Sequence, residues 1–287
     1  MTVELHPITD TDIHEVADFL GRNLNSRVPW ARACVVPWKV EAPNHGFMLQ
    51  DEQRIVGVLL AFYSERLVAG QIERFCNLGA WCVLPEFRIQ SIRLVMALLA
   101  QDGYHFISLS PINTVVPILA RLKFRPLDTS AVLFPNLPGP ILPGQTKISD
   151  DPDVIESTLT GAELELYQDH ARALAARHLV LIRGERFCYV MYRATPLRGI
   201  VCAEILHVSN PELFKRSFIP VTRHLLLRHG LLMTRAELRT IVHRPLLSAK
   251  RNPRPKMYRS ATLDPGQFDD LYFDDLYSEF ACVPDVI

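Results

Sequence analysis

The chain has 287 residues, 48% hydrophobic and 22% charged, an ordinary globular mix with enough length for two medium domains. Lys plus Arg and Asp plus Glu both number 31, so a net charge of zero removes any bulk pull towards nucleic acid or an acidic membrane surface. The opening Met1-Thr2-Val3-Glu4-Leu5-His6 lacks the basic-then-apolar layout of a signal peptide, and no apolar run is long enough to span a bilayer. The six cysteines, Cys34, Cys76, Cys82, Cys188, Cys202 and Cys282, form no CxxC or finger-like spacing. Buried free thiols, a cytoplasmic setting and no metal are therefore expected.

Taken in order, Val3 to Pro7 predicts a strand, followed by helix caps at Thr9, Asp10 and Thr11. Ile13, Val16, Ala17, Leu20 and Leu24 make one apolar helical face. Residues 27–45 are irregular, and their Trp30 and Trp38 either line a pocket or cap the core. Residues 47–50 and 55–63 flank Asp51-Glu52-Gln53-Arg54 as a hairpin. A strand over about 70–83 bends near Asn77-Leu78-Gly79. Ile92, Val95, Met96 and Leu99 then repeat at helical spacing up to a stop at Asp102-Gly103. Residues 104–110 read as a strand, residues 113–122 as a helix, and residues 123–127 with 131–134 as a last strand pair.

Residues 135–153 carry Pro135, Pro138, Pro140, Pro143 and Pro152 and form the clearest linker. It divides domains at 1–140 and 154–287, with 141–153 between them. The second part echoes the first. A helix is expected over 161–177, a hairpin over 178–192, a strand over 200–208, and a helix stopped by Gly230 before a strand at 231–235. Asn210-Pro211-Glu212-Leu213 answers Leu84-Pro85-Glu86-Phe87, and the pattern reads as an internal duplication. The fold class is α/β with mixed sheets. Arg244, Lys250, Arg251, Arg254, Lys256 and Arg259 mark a basic stretch, read as a solvated loop or a phosphate contact. Phe268-Asp269-Asp270-Leu271-Tyr272 is repeated at 273–277, the pattern of a packed C-terminal helix.

The chemistry concentrates at Val83-Leu84-Pro85-Glu86-Phe87-Arg88-Ile89-Gln90-Ser91-Ile92-Arg93. A strand closed by Pro85, a basic turn and a helix start aim backbone N–H groups at one point, which suits an anion such as phosphate. An ordinary strand–helix junction with two solvated arginines is the other reading. The stretch resembles the cofactor loop Val-x-Pro-x-x-Arg-x-x-Gly-x-Gly/Ala of the GNAT superfamily of acyl-CoA N-acyltransferases. Downstream, Asn113, Val116 and Ala120, with Lys123 and Phe124 one residue early, resemble that family's Asn-x-x-Ala-x-x-x-Tyr-x-x-x-Gly-Phe. The resemblance covers about residues 3–134 and extends faintly over the second half, which has no glycine in its loop.

This resemblance implies two tandem GNAT-like domains, each a mixed, largely antiparallel sheet flanked by helices. It implies acyl transfer from acetyl-CoA or another acyl-CoA to a small-molecule or peptide amine. Cys82, Val83, Leu84, Arg88, Ile89, Gln90, Ser91, Ile92, Arg93 and Asn113 would bind the cofactor. Ser91 and Arg93 replace the loop glycines, and Arg93 either crowds the phosphate or pairs with it. Ala120 stands where many members carry the tyrosine acid, so Ser110 or Tyr104 is the substitute. Glu73 is the expected base, with His45 and His105 as alternatives. Cys82 is an acyl carrier in principle and an inert strand cysteine in practice. Two further readings stay open: a non-catalytic binding or scaffold protein, and an acyltransferase fed by an acyl carrier protein.

Overall fold

A computed structural model describes residues 2–36, 38, 40–140, 146–197, 199–251 and 254–273. The first part contains β1 (Val3–Pro7), α1 (Ile13–Asn23), α2 (Trp30–Ala33), β2 (Gly46–Asp51), β3 (Arg54–Val68) and β4 (Gln71–Val83). It continues with α3 (Ser91–Leu99), β5 (His105–Ser108), α4 (Val116–Arg121), β6 (Arg125–Pro126) and β7 (Ala131–Pro135). Then come β8 (Lys147–Ser149), α5 (Pro152–Thr158), α6 (Ala162–His170), β9 (Ala176–Arg183), β10 (Arg186–Leu197) and β11 (Ile200–Val208). The last elements are α7 (Pro211–Arg216), α8 (Phe218–His229), β12 (Met233–Glu237), α9 (Leu238–Ile241), β13 (Ala249–Arg251) and β14 (Met257–Arg259).

Local chemistry explains the boundaries. The Thr9 N–H donates to Asp12 Oδ2 at 2.8 Å and fixes the turn leading into α1. Helix α1 then buries Val16, Ala17, Phe19 and Leu20. The β2–β3 turn places Glu52 and Gln53 at φ 48° and 70°, the left-handed pair that a two-residue hairpin requires. Gly230 ends α8 at φ 69°, where a Cβ would be strained.

Among the described residues the strands form two sheets of seven, ordered β1-β2-β3-β4-β5-β14-β6 and β8-β9-β10-β11-β12-β7-β13. Each has a single parallel junction, β4 with β5 and β11 with β12, and its other junctions are antiparallel. Both are mixed α/β sheets, and the shared order supports duplication. One core gathers Leu59, Ala61, Tyr63, Cys76, Leu94, Leu98 and Phe106 under α3. The other gathers Phe134, Leu181, Tyr192, Ile205, Phe214 and Leu225.

Several expectations are displaced. Contacts divide the chain at Leu127, not 140, and residues 255–268 return to the first unit. The expected strand pair over 123–134 does not form. Instead β6 pairs with β14, whereas β7 joins β12 and β13 in the second sheet. Within the expected linker, 141–145 lie outside the described residues, β8 is a sheet strand, and Pro152 opens α5 behind the Asp151 cap. The helix expected over 161–177 stops at His170, because Ala176 already pairs with Arg193 and sheet pairing overrides the propensity of the alanines. The basic stretch is not a free loop, since it supplies β13 and β14. Residues 268–273 are not helical, although Phe268 and Tyr272 pack at 5.7 Å from Phe75 and 5.1 Å from Trp38; the rest of the expected helix lies outside the described residues. No helix among the described residues is long and apolar enough to cross a membrane. Cys76, Cys82 and Cys188 are buried free thiols, Cys34 and Cys202 are buried, and Cys282 lies outside the described residues.

Candidate functional site

Strands β4 and β5 stay paired over three positions only, Phe75–Asn77 against His105–Ile107. Beyond Asn77, β4 follows β3 and leaves β5. A bulge drives the parting: Ala61 faces Leu78 and Leu59 faces Trp81, so Gly79 and Ala80 both oppose Leu60. Gly79 is required there, because a Cβ would sit 2.3 Å from Phe62 Cε2. A cavity of about 330 Å³ opens in the gap. Leu59 and residues 78–81 form one wall, and Ser108, Ser110, Pro111 and Ile112 form the other. Leu119 of α4 closes one side, and Leu24, Asn25 and Trp30 cover another. Of the two loop tryptophans, Trp30 therefore lines the cavity. Trp38 caps the core, its indole N–H donating to Tyr63 O at 2.8 Å.

The Leu84 N–H donates to Val56 O at 2.9 Å, within the β3 ladder. Amides alternate along an antiparallel strand, so Cys82 also faces β3, and the Trp81 and Val83 N–H groups face the open side. A continuous 3-10 turn covers Pro85–Gln90. It engages the Phe87 N–H with Leu84 O at 2.9 Å and the Ser91 N–H with Arg88 O. The turn runs directly into α3 through Gln90 and Ser91, both in the right-handed helical region. Arg88 and Ile89 are exposed, whereas Gln90 and Ser91 are half-buried. Arg93 neither fills the cavity nor reaches out as a free cation. Its Nη1 donates to Val3 O at 2.9 Å and Gln90 Oε1 at 3.2 Å.

The expected chemical groups separate. Ser110 lines the cavity, and so does Ser108, which sequence spacing does not single out because the apolar pattern of the strand continues past the point where β5 ends. Asn113 is exposed in the turn before α4, and Ala120 points outwards on it. Tyr104 lies at the other end of β5, edge-on to Tyr63 with ring centroids 5.1 Å apart. Glu73 is on β4 five residues before Leu78, about 16 Å along the strand from that wall of the cavity. Its Oε2 instead accepts from His105 Nε2 at 2.9 Å. On its other side, His105 Nδ1 lies 2.9 Å from Ser260 Oγ. Since Ser260 Oγ already accepts the Thr262 and Leu263 N–H groups, its hydrogen points to Nδ1. His45 is likewise engaged, with Nε2 2.7 Å from Asp10 Oδ1. Burial pushes the Cys82 thiol up, which keeps it protonated and unreactive. Among the described lining residues of the cavity there is no carboxylate or imidazole.

No protein-family model matches the chain, and no curated protein matches it in sequence. Solved structures do. A GCN5-related N-acetyltransferase from Anabaena variabilis superposes with a TM-score of 0.63 at 13% identity, covering 90% of this chain and 72% of that one. A conserved protein of unknown function from Enterococcus faecalis, described as a probable N-acyltransferase, gives 0.60 at 12% over the same shares, 90% and 72%. A GCN5-related N-acetyltransferase from Kribbella flavida gives 0.57 at 13%, again over 90% and 72%. The chain has the GNAT fold, and at these identities the likeness is one of fold.

Proposed function

We propose that the first unit is an acyl-CoA-dependent N-acyltransferase whose acyl donor lies in the gap between β4 and β5. The observation that carries this reading is the cavity of about 330 Å³ beside the bulge, which neither Arg93 nor neighbouring apolar side chains fill. The open-facing N–H groups of Trp81 and Val83 would polarise the thioester carbonyl and stabilise the oxyanion that forms on attack. The exposed Arg88 guanidinium, on the turn that leads into α3, would hold the diphosphate. The Ser108 and Ser110 hydroxyls would pass the amine proton to solvent, since Glu73, His45 and His105 are occupied elsewhere. The walls are chiefly apolar, which favours an acyl group or acceptor with apolar surface.

Titration calorimetry with acetyl-CoA, longer acyl-CoA esters and free CoA tests the proposal. Micromolar binding that Arg88→Ala weakens supports it, and no binding of any ester overturns it. A second reading, a CoA-ester-binding protein without turnover, is favoured by the lack of an ionisable side chain among the described lining residues. The two part on one measurement, release of free CoA thiol across a panel of amines.

A further inference from the structure

In the second unit, His224 and His229 lie in the last two turns of α8, and Asp150 directly follows β8. Each offers one ligand atom, and the three atoms lie within 4.8 Å of one another. The imidazole rings are 5.2 Å apart. His229 Nε2 stands 3.3 Å from Asp150 Oδ2. Both Nε2 atoms are buried, and neither makes a hydrogen bond. A third buried atom without a hydrogen bond, the Tyr192 hydroxyl, belongs to the ring 6.1 Å from that of His229. Two cations act on the cluster: Arg228, whose Nε is 3.6 Å from Asp150 Oδ2 and whose side chain is 69% exposed, and Arg177, whose charge also reaches His229.

Two buried imidazole nitrogens that make no hydrogen bond are costly unless something accepts their lone pairs. A tetrahedral zinc with bonds of roughly 2.1 Å spaces its ligand atoms about 3.4 Å apart, close to the 3.3 Å Asp150–His229 separation, and the His224 ligand atom must move in from within 4.8 Å. We propose that Asp150, His224 and His229 form a three-ligand site for a borderline divalent cation, with zinc foremost. Such a set leaves one coordination position open to water, for which the Tyr192 hydroxyl is the available hydrogen-bond partner. Bound there, the cation ties the end of α8 to the edge strand of the second sheet. No Cys or His spacing in the sequence signals this, because Asp150 comes from a distant segment.

The test uses the full chain, stripped with a chelator and titrated with zinc against a chromophoric competitor. One zinc per chain is expected, with a rise in the melting temperature of the unmodified protein. His224→Gln and Asp150→Asn should each lower affinity by more than about 100-fold, beyond the loss that outer-shell changes cause. His207→Gln, which alters a histidine paired with Glu163 outside the cluster, should leave affinity unchanged. Cobalt should give the intense visible bands of a four-coordinate ion. Absence of stoichiometric binding by the unmodified chain, which no variant's folding affects, or zinc affinity unchanged in His224→Gln and Asp150→Asn, overturns the proposal.

Discussion

Glu73 shows how a residue's place along a strand decides its role. It sits at the paired end of β4, where its carboxylate, His105 and Ser260 form a chain across β4, β5 and the segment after β14. Glu73→Gln should therefore leave turnover within about twofold while lowering stability by roughly 1–2 kcal/mol, the cost of one charge-assisted bond. Steady-state kinetics beside urea denaturation checks this. A more than tenfold fall in turnover at unchanged stability would restore the carboxylate to the mechanism. His178 predicts a pH effect. Burial of its ring pushes its pKa down to about 4 from the ordinary 6.5, while Tyr189 Oη lies 2.8 Å from Nδ1. The fold thus favours the neutral ring. Its contribution is full above pH 6.5 and is lost as pH falls towards 4, by at most about 3 kcal/mol. Urea midpoints measured across that window should fall for the unmodified chain and fall less for His178→Gln.

At the scale of elements, the bulge in β4 is the feature on which the cleft depends. Gly79→Ala would place a methyl against the buried Phe62 ring, 2.3 Å from Cε2, so the bulge must shift. The expected outcome is a loss of about 1–3 kcal/mol and weaker binding of any CoA ester, seen by thermal melting and calorimetry. Unchanged binding would show that the cleft does not depend on the bulge. This bend was legible in the sequence, because Asn77-Leu78-Gly79 interrupts an apolar strand. So were β1, the first hairpin, the Pro85 turn and the Gly230 stop, each marked by local chemistry. What local chemistry does not mark was lost. The three residues of β14 lie among prolines and arginines with no apolar period. The end of α6 is set by distant pairing. Which end of β4 faces the cleft depends on where β5 leaves it.

For the whole chain, topology carries information that no single element does. The two sheets place their strands in the same order, yet the sixth position of each is taken by a strand from the other half of the sequence: β14 beside β5, and β7 beside β12. Val132, Phe134, Met257 and Tyr258 on these strands are 0–3% exposed. At roughly 2 kcal/mol per buried side chain, each exchanged strand contributes several kcal/mol that a separated half would lose. A protease site introduced after Pro140 should therefore cut the chain without parting it. Fragments 1–140 and 141–287 should co-elute in native buffer and separate only in concentrated guanidinium, with Tyr258→Asp weakening their association. Fragments that part in native buffer after cleavage would mean that the exchanged strands do not hold the chain together, and that the boundary at 140 is the energetic one.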